Sequence, residues 1–316
     1  MLDHFRVSRF ELTLAALEPL RLPSYKGSTF RGGFGHAFRK VACPLRCREG
    51  CQMPKVCAYA YVFETPPPEG AEMLKKYPAA PHPFVIEPPL DPREPYEAGE
   101  VLQVGLVLIG RALDYLPYFI YAFDELGRIG IGKGRGRYRL ETVRAAGGEG
   151  AGEVIYSGET KTLKSPYPVL SGDDLVKETA PPTAVTLRFL TPTRLKFEER
   201  LTDDLAFHIL LRNLLRRLSA LSYFHCGKRL ALDFRGLIER AGMVRVTARA
   251  LRWFDWERYS HRQETKMKLG GFVGEITFQG ALEEFWPFLR LGEWVHVGKG
   301  TTFGLGQYRI ESGGAL

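Results

Sequence analysis

Several familiar signatures are missing from this chain, and each absence removes a class of function. No apolar run reaches the ~20 residues that span a bilayer; the best, VLQVGLVLIG at 101–110, is half that length. The opening stretch MLDHFRVSRFEL has no apolar core of a signal peptide, so a soluble cytoplasmic protein without membrane contact is expected. The glycine-rich stretch VGKGTTFGLGQYRI at 297–310 fits neither common phosphate fingerprint. A P-loop needs Ser or Thr after Gly-Lys, and here Gly298-Lys299 is followed by Gly300; a dinucleotide fingerprint needs its third glycine where Phe303 stands. The residues after it alternate as a strand, which supplies no helix N-terminus for a pyrophosphate. Kinase and dehydrogenase chemistry are set aside. Acidic residues are also in the minority, 36 against 44 Lys and Arg, for a formal charge of +8, so an anionic partner is favoured over a cationic one.

What is present is a repeat. GIGKGRGRYRL at 130–140 carries the same pattern as the later stretch: spaced glycines around a lysine, then Gly-x-Tyr-Arg-aliphatic. The residues before each copy read strand, Gly, amphipathic helix, Gly, strand, and the segments opening each half share Leu-x-Pro-x-Arg-Leu, at 17–22 and 190–195. A duplicated unit follows. The length of 316 residues accommodates two such units, and 45% hydrophobic with 12% aromatic residues can fill their cores.

The second half reads as a strand at 183–195, a helix at 203–224 with Asp203 and Asp204 in its first turn, and a long hairpin from 243 to 280. A helix at 281–292 and a final strand follow. The order βαββαβ is that of a ferredoxin-like fold. The first half repeats it with an insertion rich in cysteine and then proline, in which PFVIEP at 83–88 supplies an edge strand. The expected fold class is α+β, two tandem ferredoxin-like (βαββαβ, RRM-like) domains over 1–175 and 180–316, with a linker inside 147–182.

In STFRGGFGHAFRKV, Phe30, Phe34, Phe38 and Val41 fall on one helical face, while Gly32, His36 and Lys40 lie four apart on another. Glycine costs about 1 kcal/mol against alanine inside a helix, so Gly32, Gly33 and Gly35 imply a close neighbour, either a sheet or a bound strand of nucleic acid. Lys133, Arg135, Arg137 and Arg139 alternate with other residues, and a strand there would line four cations along one face. Trp253, Phe254, Trp256 and Tyr259 are expected mostly in the core. His208, Arg212 and Arg216 form a helical stripe read as a solvated face, and Cys226 is read as a buried apolar residue. Cys43, Cys47, Cys51 and Cys57 lie within fifteen residues. Four thiolates at such intervals suit a structural zinc; an iron–sulfur cluster uses similar ligands, and disulfides or free thiols are the remaining readings. Four cysteines leave no open ligand position, so no catalytic metal is expected.

Taken together, YKGSTFRGGFGHAFRKVAC, the cysteines after it, AYAYVFE, RYSHRQ and HVGKGTTFGLGQYRI resemble the RAMP superfamily of CRISPR-associated RNA-binding proteins. The narrower resemblance is to the endoribonucleases of the sixth Cas family, which cut precursor CRISPR RNA within its repeats. It implies metal-independent attack of a ribose 2′-hydroxyl on the adjacent phosphate, leaving a 2′,3′-cyclic phosphate and a 5′-hydroxyl. It places His36 where many members carry the catalytic histidine, with Tyr25 positioning or donating a proton and Lys40 or Lys26 balancing charge. Contacts to CRISPR repeat RNA are expected from Lys26, Arg31, Lys133, Arg135 and Arg137, from His261, Arg262 and Lys266, and from Gly298, Lys299, Gly300, Gly304 and Gly306. The alternative function is a non-catalytic RNA-binding subunit of a CRISPR effector complex. The oligomeric state is left open.

Overall fold

The computed structural model describes residues 1–43, 45, 47, 51, 53–67, 70–71, 73, 79–146, 152–177, 180–198, 200–255, 257–260, 265–268 and 270–311, with 257–260 and 265–268 as backbone only. The first half contains β1 (Arg6–Ala16), α1 (Gly27–Ala42), β2 (Phe84–Glu87), β3 (Val101–Ile109), α2 (Leu116–Ile129) and β4 (Tyr138–Ala145). The second contains β5 (Ala184–Thr193), α3 (Phe207–His225), β6 (Arg245–Phe254), β7 (Gly271–Gln279), α4 (Trp286–Val295) and β8 (Tyr308–Glu311). The sheets run β2-β3-β1-β4 and β6-β7-β5-β8, antiparallel throughout. Both halves thus have the same βαββαβ path and the same strand order, a tandem ferredoxin-like arrangement.

Strand alternation decides how the halves meet. On β1, Phe10, Leu12 and Leu14 face α1 and α2 together with Ile86, Leu106 and Leu108. The opposite parity, Val7, Val85, Val107 and Ile109, joins the core of the second half. The two-residue period of the strands therefore makes the first sheet a shared wall between two cores. Edge strand β2 forms within the proline-rich insertion, where PFVIEP is expected to pair, and all four of its residues are buried.

The first sheet is extended by strands at Glu153–Ser157 and Thr162–Leu163 beyond β4, and at Leu170–Ser171 beside β1; all lie within the expected first domain, and Ile155 and Tyr156 are buried in the first core, which is why the segment folds back. Other expectations are corrected. Helix α3 starts at Phe207 with no acid in its first turn; Asp204 precedes it and pairs with Arg249 at 2.6 Å. Trp253 is exposed on β6, an edge strand, rather than in the core. Trp256 and the side chain of Tyr259 lie outside the described residues.

Helix α1 buries Phe30, Phe34 and Phe38 completely. The Phe34 ring stacks on Phe123 at 4.7 Å and on Phe119 at 5.4 Å, fixing α1 against α2. Its glycines have separate uses: an added Cβ at Gly33 would lie 2.8 Å from Leu126 and one at Gly35 3.1 Å from Phe63, whereas at Gly32 it would meet nothing within 4 Å. The close neighbours are α2 and the turn Ala60–Glu64, not the sheet.

Candidate nucleic-acid cleft

The exposed stripe of α1, the end of α2 and the loop between α2 and β4 enclose a cleft of about 1030 Å³. Its lining includes His36, Ser28, Thr29 and Gly32 from α1, Arg21 from the segment before it, and Lys133 and Arg135 from the loop. Glu94 is the one acid among these lining residues, so the wall is net basic. His36 is exposed, and its ring has no hydrogen bond or ion pair with another described residue. An imidazole held on a rigid helix and left unengaged can accept or donate a proton to a bound group.

The loop is built by its glycines. Gly132 has φ 75°, in the left-handed region, and an added Cβ there would lie 2.3 Å from the carbonyl oxygen of Arg21. This close approach lets the Lys133 N–H donate to the Arg21 carbonyl at 2.9 Å. The second half repeats the device: Gly298 has φ 86°, and the Lys299 N–H donates to the Arg194 carbonyl at 3.0 Å. Each glycine segment therefore clasps the arginine of the Pro-x-Arg stretch that follows the first strand of its own half or ends it. These two N–H groups are engaged by protein carbonyls. The cations they position remain: Lys133, Arg135 and Lys299 are exposed.

The four-cation row is also corrected. Residues 130–137 form a loop, Arg135 has φ 55°, and strand pairing begins only at Tyr138. Arg137 is held by Glu18, its Nε donating at 2.9 Å, and Arg139 by Glu141 at 2.9 Å, so neighbouring carboxylates neutralise those two.

The remaining expected site residues divide by burial. Lys26 is fully buried; its Nζ donates to the carbonyl oxygen of Asp91 at 2.6 Å and of Ser24 at 3.3 Å, which corrects its assignment as an RNA contact or charge balancer. Tyr25 donates its hydroxyl to the Phe303 carbonyl at 2.7 Å and does not line the cleft; burial raises its phenol well above the ordinary range. Arg31 is set between the rings of Phe63 and Phe303, 5.0 and 5.4 Å from their centroids. Lys40 shares the exposed stripe with His36 but pairs with Glu125 at 2.6 Å, and it is not among the cleft lining. Gly304 and Gly306 are buried, and an added Cβ at Gly304 would lie 2.8 Å from the carbonyl oxygen of Ile86, so both serve packing rather than RNA contact. Gly298 and Gly300 are partly exposed. His261, Arg262 and the side chain of Lys266 lie outside the described residues.

The second glycine segment thus seals the seam between the halves. Beside it, His296 Nε2 lies 3.0 Å from Glu87 Oε1, and Arg9 reaches the same carboxylate at 3.2 Å. Burial alone would raise the Glu87 carboxyl, but Arg9 and His296 outweigh it and hold the group below its ordinary value. At the far end of α3, His225 Nε2–H donates to the Pro81 carbonyl at 2.7 Å while Tyr61 hydroxyl donates to Nδ1 at 3.0 Å; burial pushes this imidazole down to about 4.

Sequence reasoning passed over Arg21, Ser28 and Thr29. The signal for Arg21 was available, because it is the Arg of the duplicated Leu-x-Pro-x-Arg-Leu. No helix among the described residues is long and apolar enough to cross a membrane.

Comparison with known proteins places this geometry among relatives. A family model described as an N-terminal domain matches residues 5–168, and the model of the CRISPR-associated endoribonuclease Cas6 matches residues 187–308. An uncharacterized protein of Archaeoglobus fulgidus is 24% identical over 301 residues, covering 92% of this chain and 93% of its own. Among solved structures, a Cas6 product complex superposes with a TM-score of 0.60 at 19% identity, covering 96% of this chain and 99% of its own. Thermus thermophilus Cas6 gives 0.57 at 18% identity, with coverage of 97% and 99%.

Proposed function

We propose that the chain is an endoribonuclease of the Cas6 kind, whose family model matches residues 187–308, and that it cleaves precursor CRISPR RNA within its repeats, in the basic cleft beside α1. The observation that carries this reading is the position of His36: a solvent-facing imidazole with no hydrogen-bond or ion-pair partner among the described residues, in a cleft lined also by the cations Arg21, Lys133 and Arg135 and by Glu94. The repeat strand enters with one phosphate against these cations. The ribose 2′-oxygen attacks that phosphorus, the bond to the 5′-oxygen breaks, and the products are a 2′,3′-cyclic phosphate and a 5′-hydroxyl. His36 carries one of the two proton transfers, taking the proton from the 2′-hydroxyl or giving one to the departing 5′-oxygen, and solvent water carries the other. Charge growing on the phosphoryl oxygens is met by the cleft cations, the part first expected of Lys40 or Lys26. Tyr25 acts at a distance, fixing the start of α1 to the second glycine segment.

Single-turnover cleavage of a repeat RNA from the host's own array tests this, with filter binding on the same samples. His36→Ala is expected to slow cleavage by about 10²–10⁴-fold and leave binding within a few-fold of wild type. Wild-type binding without any cleavage would instead make the protein a non-catalytic RNA-binding subunit of an effector complex. Equal cleavage by both proteins would move the chemistry off α1.

A further inference from the structure

The cysteine knuckle has no part in the cleft chemistry. Cys43 caps α1, its N–H donating to the Arg39 carbonyl at 3.0 Å. Cys43 and Cys57 are buried with Ala60, and Cys47, Cys51 and Tyr59 pack on that nucleus. All four cysteines line one cavity of about 170 Å³. Residues 44, 46, 48–50 and 52 separate them in sequence and lie outside the described residues. None of the four is in a disulfide. The Met53 N–H donates to Cys51 Sγ at 3.4 Å, and the Cys57 thiol donates to the Ala42 carbonyl at 3.8 Å. Among the described residues no set of three or more Cys, His, Asp or Glu is closed into ligand positions. The four sulfurs are gathered around one small space without having converged on a point in it.

We propose that Cys43, Cys47, Cys51 and Cys57 bind one zinc ion as a four-thiolate structural site. A single tetrahedral ion with Zn–S near 2.3 Å needs four sulfurs about 3.8 Å apart, a set that one cavity of this size lined by all four cysteines can hold. An N–H directed at Cys51 sulfur supplies the hydrogen bond that a ligating thiolate accepts. Binding replaces four S–H bonds by four Zn–S bonds and releases four protons, with no change of oxidation state. The consequence is mechanical. The ion ties the end of α1 to the turn Ala60–Glu64, whose Phe63 packs on Phe38 at 5.4 Å and on Phe34 at 5.8 Å. The helix bearing His36 is thereby anchored at its far end.

Elemental analysis of the full-length protein purified without added metal tests this directly. One zinc per chain is expected, unchanged in Cys226→Ser and His36→Ala and lost in Cys57→Ser. Should Cys57→Ser fail to fold, cobalt exchange into wild type gives an independent reading: a tetrahedral visible band with sulfur-to-cobalt charge transfer in the near ultraviolet is expected. Chelation of wild-type zinc should lower Tm. Metal-free protein with all five thiols open to a thiol reagent after zinc addition would overturn the proposal, as would stoichiometric iron and sulfide or a mass deficit from disulfides.

Discussion

At the residue scale, exposure separates groups the sequence could only place side by side. His36 and Lys26 both lie in the stretch that looked most like a site, yet one faces the cleft and the other is sealed from solvent. Lys26→Ala removes the donor from two backbone carbonyls, and a loss of about 1–3 kcal/mol in urea unfolding is expected, with RNA affinity of the folded protein unchanged. Lys40→Ala, whose ammonium is engaged by Glu125 at the surface, should cost under ~1 kcal/mol and slow cleavage far less than His36→Ala. Glu87 gives a pH dependence. Its carboxyl is held below the ordinary 4.5 when folded, so its stabilising effect is present above that value and is lost as pH falls through the folded value. Unfolding midpoints measured below pH 4.5 should therefore drop less steeply in Glu87→Gln than in wild type.

At the element scale, two glycines of the same cleft make opposite predictions. Gly32 sits in α1 with open space where a Cβ would go, so Gly32→Ala should gain up to about 1 kcal/mol. Gly132, with φ 75° and Arg21 oxygen in the way, should lose stability on the same change and release Lys133 from its position; thermal unfolding and RNA affinity read the two effects. Phe34→Ala empties the stack on Phe119 and Phe123 and should cost about 3–5 kcal/mol. The elements themselves were largely legible: the duplicated glycine segments, the helical phenylalanines and the alternating strands all fold as their periods require. The illegible parts have physical reasons. Whether a glycine-rich N–H points at a ligand or at a carbonyl depends on a partner 112 residues away in the first half, Arg21 to Lys133. Arg137 reads as a free cation until Glu18 folds beside it, and Tyr25 reads as a site residue until Phe303 takes its hydroxyl.

At the scale of the whole molecule, one sheet walls two cores and the second glycine segment closes the seam against α1. The two copies of the segment have therefore diverged in use: the first opens onto the cleft, the second holds the halves together. This division predicts the salt dependence of RNA binding. Single-stranded contacts contribute about 0.7 each to the slope of log K against log salt, so Arg21→Ala and Lys133→Ala should each reduce the slope by about that amount, while Arg137→Ala, paired with Glu18, should leave it nearly unchanged. Fluorescence anisotropy titrations across a salt series would check this. The most direct test of the account is the mass of the fragment ends when wild-type protein cuts a repeat RNA in buffer with no added divalent metal and no chelator. A single cut with a 2′,3′-cyclic phosphate on the upstream fragment and a 5′-hydroxyl on the downstream one is the predicted result; a 3′-hydroxyl with a 5′-phosphate, or no cut until magnesium is added, would contradict it.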